Sequence, residues 1–458
     1  MRLPIVIPIP FRDPAAAFEP LAGHDMAVLL DSALPGAQGR FSYIAYDPFR
    51  VIRCTSRPWT ITVDGQHRED DAFTVLATEL ERFSGGAISG PAPFLGGAIG
   101  FLSYELGGML ERLPPPKTTP FAQDMAVGLY DTLAAFDMDK REAWVIARDL
   151  PGLPGRPDAM TRAKILAAAM GTGPLRTPTP TPGHWQAEIS RSAYEAGVAT
   201  TIEAIRAGDI YQANITQRFL AAIPEETDSY DLYLRLRAAA PAPFAAYFNA
   251  GNGLHILSAS PERFLKTNAD GVIETRPIKG TRPRGASPGA DLALAQELVA
   301  SAKDRAENLM IVDLLRNDLA RVCIPGSVAV PVLCGLETFP TVHHLVSVVT
   351  GQLRRDTTAV DLLRAAFPGG SITGAPKIKA MEVIHAHEPG ARGPYCGAIA
   401  WLGFDGAMDS SIVIRTLVRQ GTSLVAQAGG GIVAESDPAR EYEESVLKVN
   451  PLLGVLDS

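Results

Sequence analysis

The chain has 458 residues, of which 46% are hydrophobic and 20% charged, a balance typical of a globular protein with a large core. Its formal net charge is −8 and it has no basic run, which argues against nucleic acid as a partner. The four cysteines form no CxxC pair, and no stretch of about 18 apolar residues occurs. These features argue against a disulfide framework and exclude a membrane span, and they predict a cytoplasmic protein.

The segments before residue 171 carry β-strand patterns and one short helical pattern. SYIAYDPFRVIRC and PWTITVDG predict strands, whereas DAFTVLATELERF has the apolar spacing of a helix. GTGPLRTPTPTPGHW follows, with four prolines, three glycines and no apolar periodicity, as in a semi-rigid linker. The sequence therefore predicts an N-terminal region over 1–170, a linker over 171–185 and a C-terminal region over 186–458.

The C-terminal region alternates helices with strands in hairpins. SAYE at 192–195 is a capping-box pattern, which predicts a helix that ends at Gly208. IYQANITQRFLAAI at 210–223 predicts a strand, and SIVIRTLVRQGTSLVAQAGGGIV predicts a hairpin around Gln420 and Gly421. Hairpin strands interrupted by separate helices predict an α+β protein with large antiparallel sheets.

Lys279 lies in ETRPIKGTRPRG, a run framed by glycine and proline. Most lysines are surface residues, so a solvated side chain is one interpretation. The other is that a tight turn presents this lysine for chemistry.

Three glutamates are candidate ligands for a cation. Glu307 lies in DRAENLMIVDLLRNDLARV, whose apolar stripe predicts a helix that places this carboxylate against apolar surroundings. The helix AREYEESVLKVN after Asp437 places Glu441, Glu444 and Lys448 at i, i+3 and i+7. A macrodipole contact for Glu307 and a solvated pair between Glu444 and Lys448 are the alternatives. Together, Glu307 and Glu444 could supply two hard oxygen ligands for Mg²⁺.

Two Gly-rich segments could approach an anion closely. FPGGSITGAPKIKAM has Pro376 placed for a helix start, so the backbone N–H groups before it could face an anion. AGGGIV at 428–433 removes side chains from three successive positions, which suits either a bound ligand or a tight turn. His344, in FPTVHHLVSVV, is predicted to be half-buried on a strand.

Seven motifs occur in the order found in the chorismate-utilizing enzymes, a family that includes anthranilate, aminodeoxychorismate, isochorismate and salicylate synthases. They are SPERF, RPIKGT, ENLMIVDLLRND, GSITGAPKIKAMEVI, YCGAIAW, SSIVIRTL and GGGIV with SDPAREYEES. The resemblance is strong over 190–455 and weaker over 1–170. It implies an α+β fold with large antiparallel β-sheets in a sandwich and surrounding helices.

The resemblance also implies roles for individual residues. Glu307 and Glu444 match Mg²⁺-binding glutamates, with Glu441 one turn away, and the metal would hold the ring carboxylate of chorismate. Glu262, in SPERF, matches a general acid/base at the departing C4 hydroxyl. The residues implied to bind substrate are His344, Thr373, Tyr395, Arg415, Gly429, Gly430, Gly431 and Lys448. Among these, Tyr395 and Arg415 match residues that receive the enolpyruvyl carboxylate.

Two positions distinguish the members of this family. Isochorismate and salicylate synthases resemble one another in a lysine that activates water, where this chain has Gln212, and glutamine cannot act as a base. Anthranilate synthases typically have PIAGT, whereas PIKGT resembles the aminodeoxychorismate synthases. The resemblance therefore implies that Lys279 is a covalent nucleophile that attacks C2 of chorismate before ammonia adds at C4.

A nucleophilic lysine needs a lowered pKa, because at its usual value of ~10.4 only about 0.04% of the side chains are neutral at pH 7. Burial and nearby cations lower a lysine pKa, and Arg276, Arg282 and Arg284 are candidates for those cations. Glu262 and the bound dianion would raise it.

No cysteine of the chain lies in the Gly-rich elbow of a glutaminase. Ammonia is therefore expected from a separate glutamine amidotransferase subunit, or from free ammonia at high concentration. The expected product is 4-amino-4-deoxychorismate, the precursor of p-aminobenzoate and folate. The alternatives are anthranilate synthase component I, which also eliminates pyruvate, and a chorismate-binding regulatory protein without catalysis.

Overall fold

Twenty-four β-strands and eleven α-helices lie in the part of the chain that the computed structural model describes, residues 3–36, 38–56, 58–153, 155–339 and 342–457. The strands are β1 Ile5–Ile9, β2 Val28–Asp31, β3 Phe41–Ala45, β4 Arg50–Thr55, β5 Thr60–Val63, β6 Gln66–Arg68, β7 Gly97–Leu102, β8 Met125–Tyr130, β9 Thr132–Asp137, β10 Glu142–Ala147, β11 Trp185–Ala187, β12 Gln212–Ala222, β13 Phe244–Gly251, β14 Leu254–Ser260, β15 Arg263–Thr267, β16 Val272–Thr275, β17 Ile278–Pro283, β18 Ala329–Thr338, β19 Val342–Gln352, β20 Gly374–Ala375, β21 Ala398–Gly403, β22 Met408–Ile412, β23 Thr416–Gln420 and β24 Ser423–Ile432. The helices are α1 Pro14–Phe18, α2 Ala72–Glu81, α3 Gly107–Leu110, α4 Ala159–Ala169, α5 Arg191–Arg206, α6 Ser229–Ala239, α7 Pro288–Ala300, α8 Ala302–Ala320, α9 Ala359–Ala366, α10 Lys377–His387 and α11 Pro438–Leu453.

The strands form two twelve-stranded antiparallel sheets. Sheet 1 has the order β1-β10-β9-β3-β2-β13-β14-β23-β24-β12-β11, and β20 pairs with β12. Sheet 2 has the order β17-β19-β16-β15-β22-β21-β7-β8-β4-β5-β6, and β18 pairs with β19. The predicted α+β class with large antiparallel sheets is confirmed.

The two sheets pack face to face around a core of aromatic and aliphatic side chains. Tyr43 of sheet 1 meets Trp401 of sheet 2 with ring centroids 6.3 Å apart, and Phe248 meets Phe101 at 6.2 Å. Residues alternate along the strands, because successive side chains point to opposite faces of a sheet. Ile44, next to Tyr43, thus joins the core on the outer face of sheet 1.

Helices cover the outer face of each sheet. Residues of α1, α4, α6 and α11 share the outer core of sheet 1, and residues of α2, α8 and α9 share that of sheet 2. Among the described residues, no helix combines the length and the apolar character needed to cross a bilayer.

Strands from both sides of the predicted linker enter both sheets. In sheet 1, β2 pairs with β13, and in sheet 2, β7 pairs with β21. The linker itself forms no regular element until β11 begins at Trp185. The division into regions at 171–185 remains a prediction from the sequence. In the structure, both sheets contain strands from before and after this segment.

Two local predictions are corrected by the structure. Helix α5 begins at Arg191 and is capped by Ser190, whose side chain accepts from the Ala193 N–H, so the start predicted at Ser192 is wrong. The cap is displaced because Ser190 is the residue with extended backbone angles. In α8, the predicted apolar stripe is interrupted, since Leu309 is 46% exposed.

Candidate active site

Lys279 lies at a β-bulge in strand β17, and not in the turn that the sequence predicts. The register of β17 against β19 shifts between Lys279 and Thr281, which leaves Gly280 as the extra residue. Gly280 has a φ of 78°, and a Cβ there would lie 2.9 Å from Cβ of Asp304. Glycine is required for both reasons, and a bulge of this kind re-aims the neighbouring side chain.

The side chain of Lys279 is half-buried, and its amine contacts protein groups. Its Nζ donates to the carbonyl oxygen of Ser371 at 3.2 Å. Burial lowers the pKa of Lys279. The negative charges of Glu307 and Glu262 oppose this change, whereas the positive charge of Lys448 lowers the pKa further. The net shift is downward, so more of the amine is neutral near pH 7 than in a solvated lysine.

The three arginines near Lys279 in the sequence do not supply the expected cations. Each pairs with other carboxylates: Arg276 with Glu337, Arg282 with Glu297 and Asp304, and Arg284 with Asp291. The lysine that lowers the pKa of Lys279 comes instead from α11. That expectation was wrong because closeness in the sequence does not determine which side chains meet across elements.

Glu262 lies in the short connection between β14 and β15 and is 7% exposed. Burial raises its pKa, whereas hydrogen bonds from the Ser371 side chain and the Ile278 N–H and the charge of Lys279 oppose that rise. The net shift is upward. A carboxyl group with a raised pKa suits proton transfer near neutral pH.

Glu307 of α8 and Glu441 and Glu444 of α11 each lie near a lysine. Nζ of Lys303 lies 3.9 Å from a carboxylate oxygen of Glu307 and 3.9 Å from one of Glu441, and Nζ of Lys448 lies 2.7 Å from Glu444. Burial raises the pKa of Glu307 and of Glu441. Burial also raises the pKa of Glu444, but nearby lysines, chiefly Lys448, outweigh it and the net shift is downward. Glu307 therefore has charged neighbours where the sequence predicts apolar ones.

The donor set of these carboxylates suits a hard cation. Within the described ranges, no group of three or more His, Cys, Asp or Glu side chains is arranged to hold a metal ion. Mg²⁺ needs fewer, because it keeps several waters and is bound through one or two carboxylates plus groups of an anionic substrate. Glu307 and Glu444 fit that requirement by chemistry, and the metal site stays a prediction.

Gly429, Gly430 and Gly431 lie inside strand β24, and not in a turn. A Cβ on Gly429 would lie 2.0 Å from the carbonyl oxygen of Ile215, and one on Gly431 would lie 2.0 Å from Nε2 of Gln212. These two glycines are therefore needed for the packing of β24 against β12.

Gly430 faces the carboxylates of α11. A Cβ there would lie 3.2 Å from Oε2 of Glu441 and 3.7 Å from both Oε1 of Glu444 and Nζ of Lys448. Lys448 also donates to the carbonyl oxygen of Gly429 at 3.0 Å. The glycine strand thus lets α11 bring three charged side chains close to the backbone of β24.

Tyr395 lies close enough to Arg415 to affect its pKa, and Arg415 lies close enough to His344 to do the same. Burial raises the pKa of Tyr395 well above its usual value, and burial lowers that of Arg415 while Tyr395 opposes the change. Burial lowers the pKa of His344 to about 4, with Arg415 contributing, so this imidazole is neutral at pH 7. Nδ1 of His344 lies 2.9 Å from Oγ1 of Thr281, which orients the ring.

Thr373 lies at the end of a loop that is anchored through its backbone. Its hydroxyl donates to the carbonyl of Gly369 at 2.9 Å, and its own carbonyl accepts from the Asn214 N–H at 2.8 Å. The guanidinium of Arg392 donates to the carbonyl of Ile372 at 2.9 Å. This loop therefore has a fixed position relative to β12.

The structure adds two residues that the sequence does not single out. Ser371 contacts both Lys279 and Glu262. It lies inside the GSITGAPK motif, and this was the only feature of the sequence that could have indicated a role for Ser371 in the site. Lys303 lies between Glu307 and Glu441. The sequence could have indicated its pair with Glu307, which is one turn away on α8, but not its proximity to Glu441.

A cavity of about 330 Å³ lies elsewhere, between the two sheets, and its lining includes Tyr43, Arg263 and Trp401. The predicted site residues are not part of that lining. The chemistry of the side chains, and not cavity size, therefore identifies the candidate active site.

Comparison with known proteins gives one family. A family model described as chorismate binding enzyme matches residues 33–454. The aminodeoxychorismate synthase component 1 of Salmonella typhimurium is 43% identical over 468 residues, which cover 99% of this chain and 99% of that protein. The anthranilate synthase component 1 of Streptomyces coelicolor is 38% identical over 459 residues, which cover 96% of this chain and 86% of that protein.

The fold has a counterpart among solved structures. The crystal structure of anthranilate synthase component I from Streptococcus pneumoniae matches with a TM-score of 0.79 and 31% identity, over 92% of this chain and 93% of that one. The sandwich of antiparallel sheets with surrounding helices, as the sequence motifs imply, is thereby confirmed.

Proposed function

This chain belongs to the chorismate binding enzyme family, and from that premise we propose that it is the synthase component of an aminodeoxychorismate synthase. The name of the relative that is 43% identical over its whole length supports this proposal. The observation that carries it is the position of the half-buried amine of Lys279, which donates to the carbonyl of Ser371 and lies close enough to Glu262 to affect the pKa of that carboxyl group. The reaction proposed is the conversion of chorismate and ammonia to 4-amino-4-deoxychorismate and water.

In the first step, the neutral amine of Lys279 attacks C2 of chorismate. The two ring double bonds shift and the C4–O bond breaks, while Glu262 donates the proton with which the hydroxyl leaves as water. The nitrogen of the adduct then returns a proton to the Glu262 carboxylate. The lowered pKa of Lys279 and the raised pKa of Glu262 both favour this step, since it needs a free amine and a protonated acid.

In the second step, ammonia forms a bond to C4. The double bonds shift back, the C2–N bond to Lys279 breaks, and Glu262 donates the proton that restores the free amine. The new C4 ammonium group then gives a proton to the Glu262 carboxylate. Both residues return to their starting states, so the cycle is balanced.

The remaining residues are proposed to bind and orient the substrate dianion. The guanidinium of Arg415 and the hydroxyl of Tyr395 are proposed to receive the enolpyruvyl carboxylate, because a planar guanidinium matches a carboxylate in shape. His344 is proposed to lie beside the ring, and Thr373 beneath it.

The ring carboxylate is proposed to be held at the opposite end. Lys448 and the backbone of Gly429 to Gly431 would contact it. Glu307 and Glu444, with Glu441 beside them, would hold Mg²⁺, which supplies positive charge that orients this carboxylate when it is bound.

A partner is part of the proposal. The words "component 1" in the names of the relatives support a second component. We propose that it is a glutamine amidotransferase that supplies ammonia. The four cysteines of this chain are all buried, and none lies in a Gly-rich elbow that would make the chain a glutaminase itself.

Anthranilate synthase component I is the second candidate function. A relative of that name at 38% identity and a solved structure at 31% identity favour it. Lys279 opposes it, because the anthranilate synthases resemble one another in an alanine at this position.

The test is to incubate the chain with chorismate, Mg²⁺ and ammonium, with and without a pyridoxal-phosphate lyase that converts aminodeoxychorismate to p-aminobenzoate. We expect p-aminobenzoate only when the lyase is present. Fluorescent anthranilate without the lyase would support the second candidate. Binding of chorismate without turnover would support a regulatory protein.

A further inference from the structure

Ser371 connects the two residues to which the proposed function assigns the chemistry. Its carbonyl oxygen accepts a hydrogen bond from Nζ of Lys279 at 3.2 Å. Its side chain lies close enough to the carboxyl group of Glu262 to oppose the rise in the pKa of that group. One residue therefore contacts the proposed nucleophile through its backbone, and its hydroxyl lies beside the proposed acid.

We propose that Ser371 is a positioning residue for the amination of chorismate, and that it holds Lys279 and Glu262 at a fixed spacing throughout the reaction. The inference rests on the proposed function, since it acts through those two residues. Its own hydroxyl forms no bond to the reacting atoms.

The backbone before Ser371 is packed closely against neighbouring side chains. Ser371 lies in the 3₁₀ turn Gly370–Ile372. A Cβ on Gly369 would lie 2.6 Å from Cδ1 of Ile412, and one on Gly370 would lie 2.8 Å from Cδ2 of Leu314. The turn therefore packs directly on side chains of sheet 2 and of α8, and a larger residue at either glycine would require the turn or those side chains to move.

The chemistry of a hydroxyl suits a partner that changes its protonation state. In the proposed cycle Glu262 alternates between carboxylic acid and carboxylate. The N–H of Ile278 can only donate, so it can reach an acceptor oxygen of Glu262 but cannot accept the proton of the carboxylic acid. The hydroxyl of Ser371 can donate to the carboxylate and can accept from the carboxylic acid. Of these two neutral neighbours, it is therefore the one that can also accept the proton of the carboxylic acid.

The charge around Glu262 makes a neutral partner useful. Lys279 on β17 is the charged group that acts on this carboxyl, and Ser371 and Ile278 are its neutral donors. When Lys279 forms the covalent adduct, its interaction with Glu262 changes. The hydrogen bond from Ser371 does not depend on that charge, so the position of Glu262 is kept while the lysine reacts.

The test compares Ser371→Ala, which removes the hydroxyl and keeps the carbonyl, with Ser371→Thr, which keeps both. Ser192→Ala removes an exposed hydroxyl on α5 and is the control. Formation of aminodeoxychorismate from chorismate and ammonium is measured against pH. For Ser371→Ala we expect kcat to fall at least about tenfold with KM within about twofold. We also expect the ionisation of Glu262 in the pH profile to move to higher pH, because the carboxylate loses a donor.

Ser371→Thr is expected to retain activity within about threefold of the wild type, and Ser192→Ala is expected to match the wild type. Wild-type kcat and an unchanged pH profile in Ser371→Ala would overturn the inference, as would an equal loss in Ser371→Thr. If Ser371→Ala fails to fold, Ser371→Cys is used, since it has nearly the same shape and is a weaker donor. A wild-type chain that forms no aminodeoxychorismate would contradict the proposed function itself.

Discussion

The ammonium group of Lys448 lies 2.7 Å from a carboxylate oxygen of Glu444, one turn away on α11. The same group donates to the carbonyl oxygen of Gly429 at 3.0 Å. Lys448 thus joins helix α11 to the glycine strand of β24. The candidate site depends on this close approach, which the absence of side chains on β24 permits.

Two glycines of β24 are expected to respond differently to alanine. In Gly429→Ala the new Cβ would lie 2.0 Å from a backbone oxygen of β12, so the free energy of unfolding should fall by about 1–3 kcal/mol. In Gly430→Ala the Cβ would lie 3.2 Å from a carboxylate of α11, so folding should persist while KM for chorismate rises. Urea denaturation and steady-state kinetics measure the two effects. A reversed order of stabilities would contradict this account of the strand.

Lys279→Ala is expected to abolish most formation of aminodeoxychorismate, by about 100-fold or more, because the covalent route is lost. Chorismate should still bind with an affinity within a few-fold of the wild type, since the carboxylate-binding groups remain. Product chromatography and equilibrium binding are the measurements. In the wild type, mass spectrometry of stalled turnover should find substrate-derived mass on the RPIKGT peptide.

Lys279→Arg is the control for the role of charge. Arginine keeps a cation at this position and cannot supply a neutral amine near pH 7. We expect it to be as inactive as the alanine variant. Wild-type formation of aminodeoxychorismate by Lys279→Arg would limit the lysine to an electrostatic role and exclude the covalent mechanism.

Glu307→Gln and Glu444→Gln are each expected to weaken activation by Mg²⁺, because each removes one charged hard ligand. The concentration of Mg²⁺ that gives half-maximal turnover should rise about tenfold or more. Titration calorimetry with Mg²⁺ and chorismate provides a measure that is independent of turnover. Unchanged Mg²⁺ dependence in both variants would contradict a metal site and would favour ordinary electrostatic contacts on the helix surface for both glutamates.

Glutamine by itself is not expected to support turnover by the isolated chain, whereas ammonium is. The reason is that the described cysteines are buried and none lies in a glutaminase elbow. Product formation with each nitrogen source is measured in a preparation shown by mass spectrometry to contain one chain. Turnover with glutamine under those conditions would show that the chain needs no glutaminase partner.

Stability is expected to fall on acidification between about pH 6.5 and pH 4. Burial lowers the pKa of His255 and of His344 from 6.5 to about 4. Below pH 6.5 the unfolded chain binds protons at these histidines and the native chain does not, so acid favours unfolding over this interval. Each contributes at most on the order of 3 kcal/mol.

His255→Phe should flatten this dependence, because phenylalanine cannot bind the proton that the unfolded chain takes up at His255. The free energy of unfolding is measured by urea denaturation at several pH values. His67→Asn, a change at an exposed histidine of β6, is the control and should keep the wild-type slope. A variant His255→Phe with an unaltered slope would contradict the assignment.

Elements with a strong local pattern could be predicted from the sequence. The strand expected over 210–223 is β12, and the hairpin expected around Gln420 and Gly421 is formed by β23 and β24, with Gly421 at a φ of 59°. The helix expected after Asp437 is α11, with that aspartate as its cap. These predictions succeed because periodicity, caps and positive-φ glycines act within a few residues.

The ordered motifs also indicated the family and the residues to examine, although their roles in the reaction remain proposals. What the sequence could not provide was the surroundings of each side chain. Several of these surroundings join segments that are far apart in the chain. Examples are the bulge at Gly280, the pairing of Arg276 with Glu337, and the position of Ser371 next to Lys279 and Glu262.

The tertiary structure alone decided how the sheets are assembled and which groups are desolvated. β12 pairs with β24, and β2 pairs with β13, across some two hundred residues of chain. Strand partners are selected by burial of whole faces, which no local pattern encodes. The shifted pKa values of Lys279 and Glu262 have the same origin, because burial by several elements determines how much water each charge loses. The sequence thus determined the elements and the family of this protein, and the packing of distant segments determined the environment in which its candidate catalytic residues act.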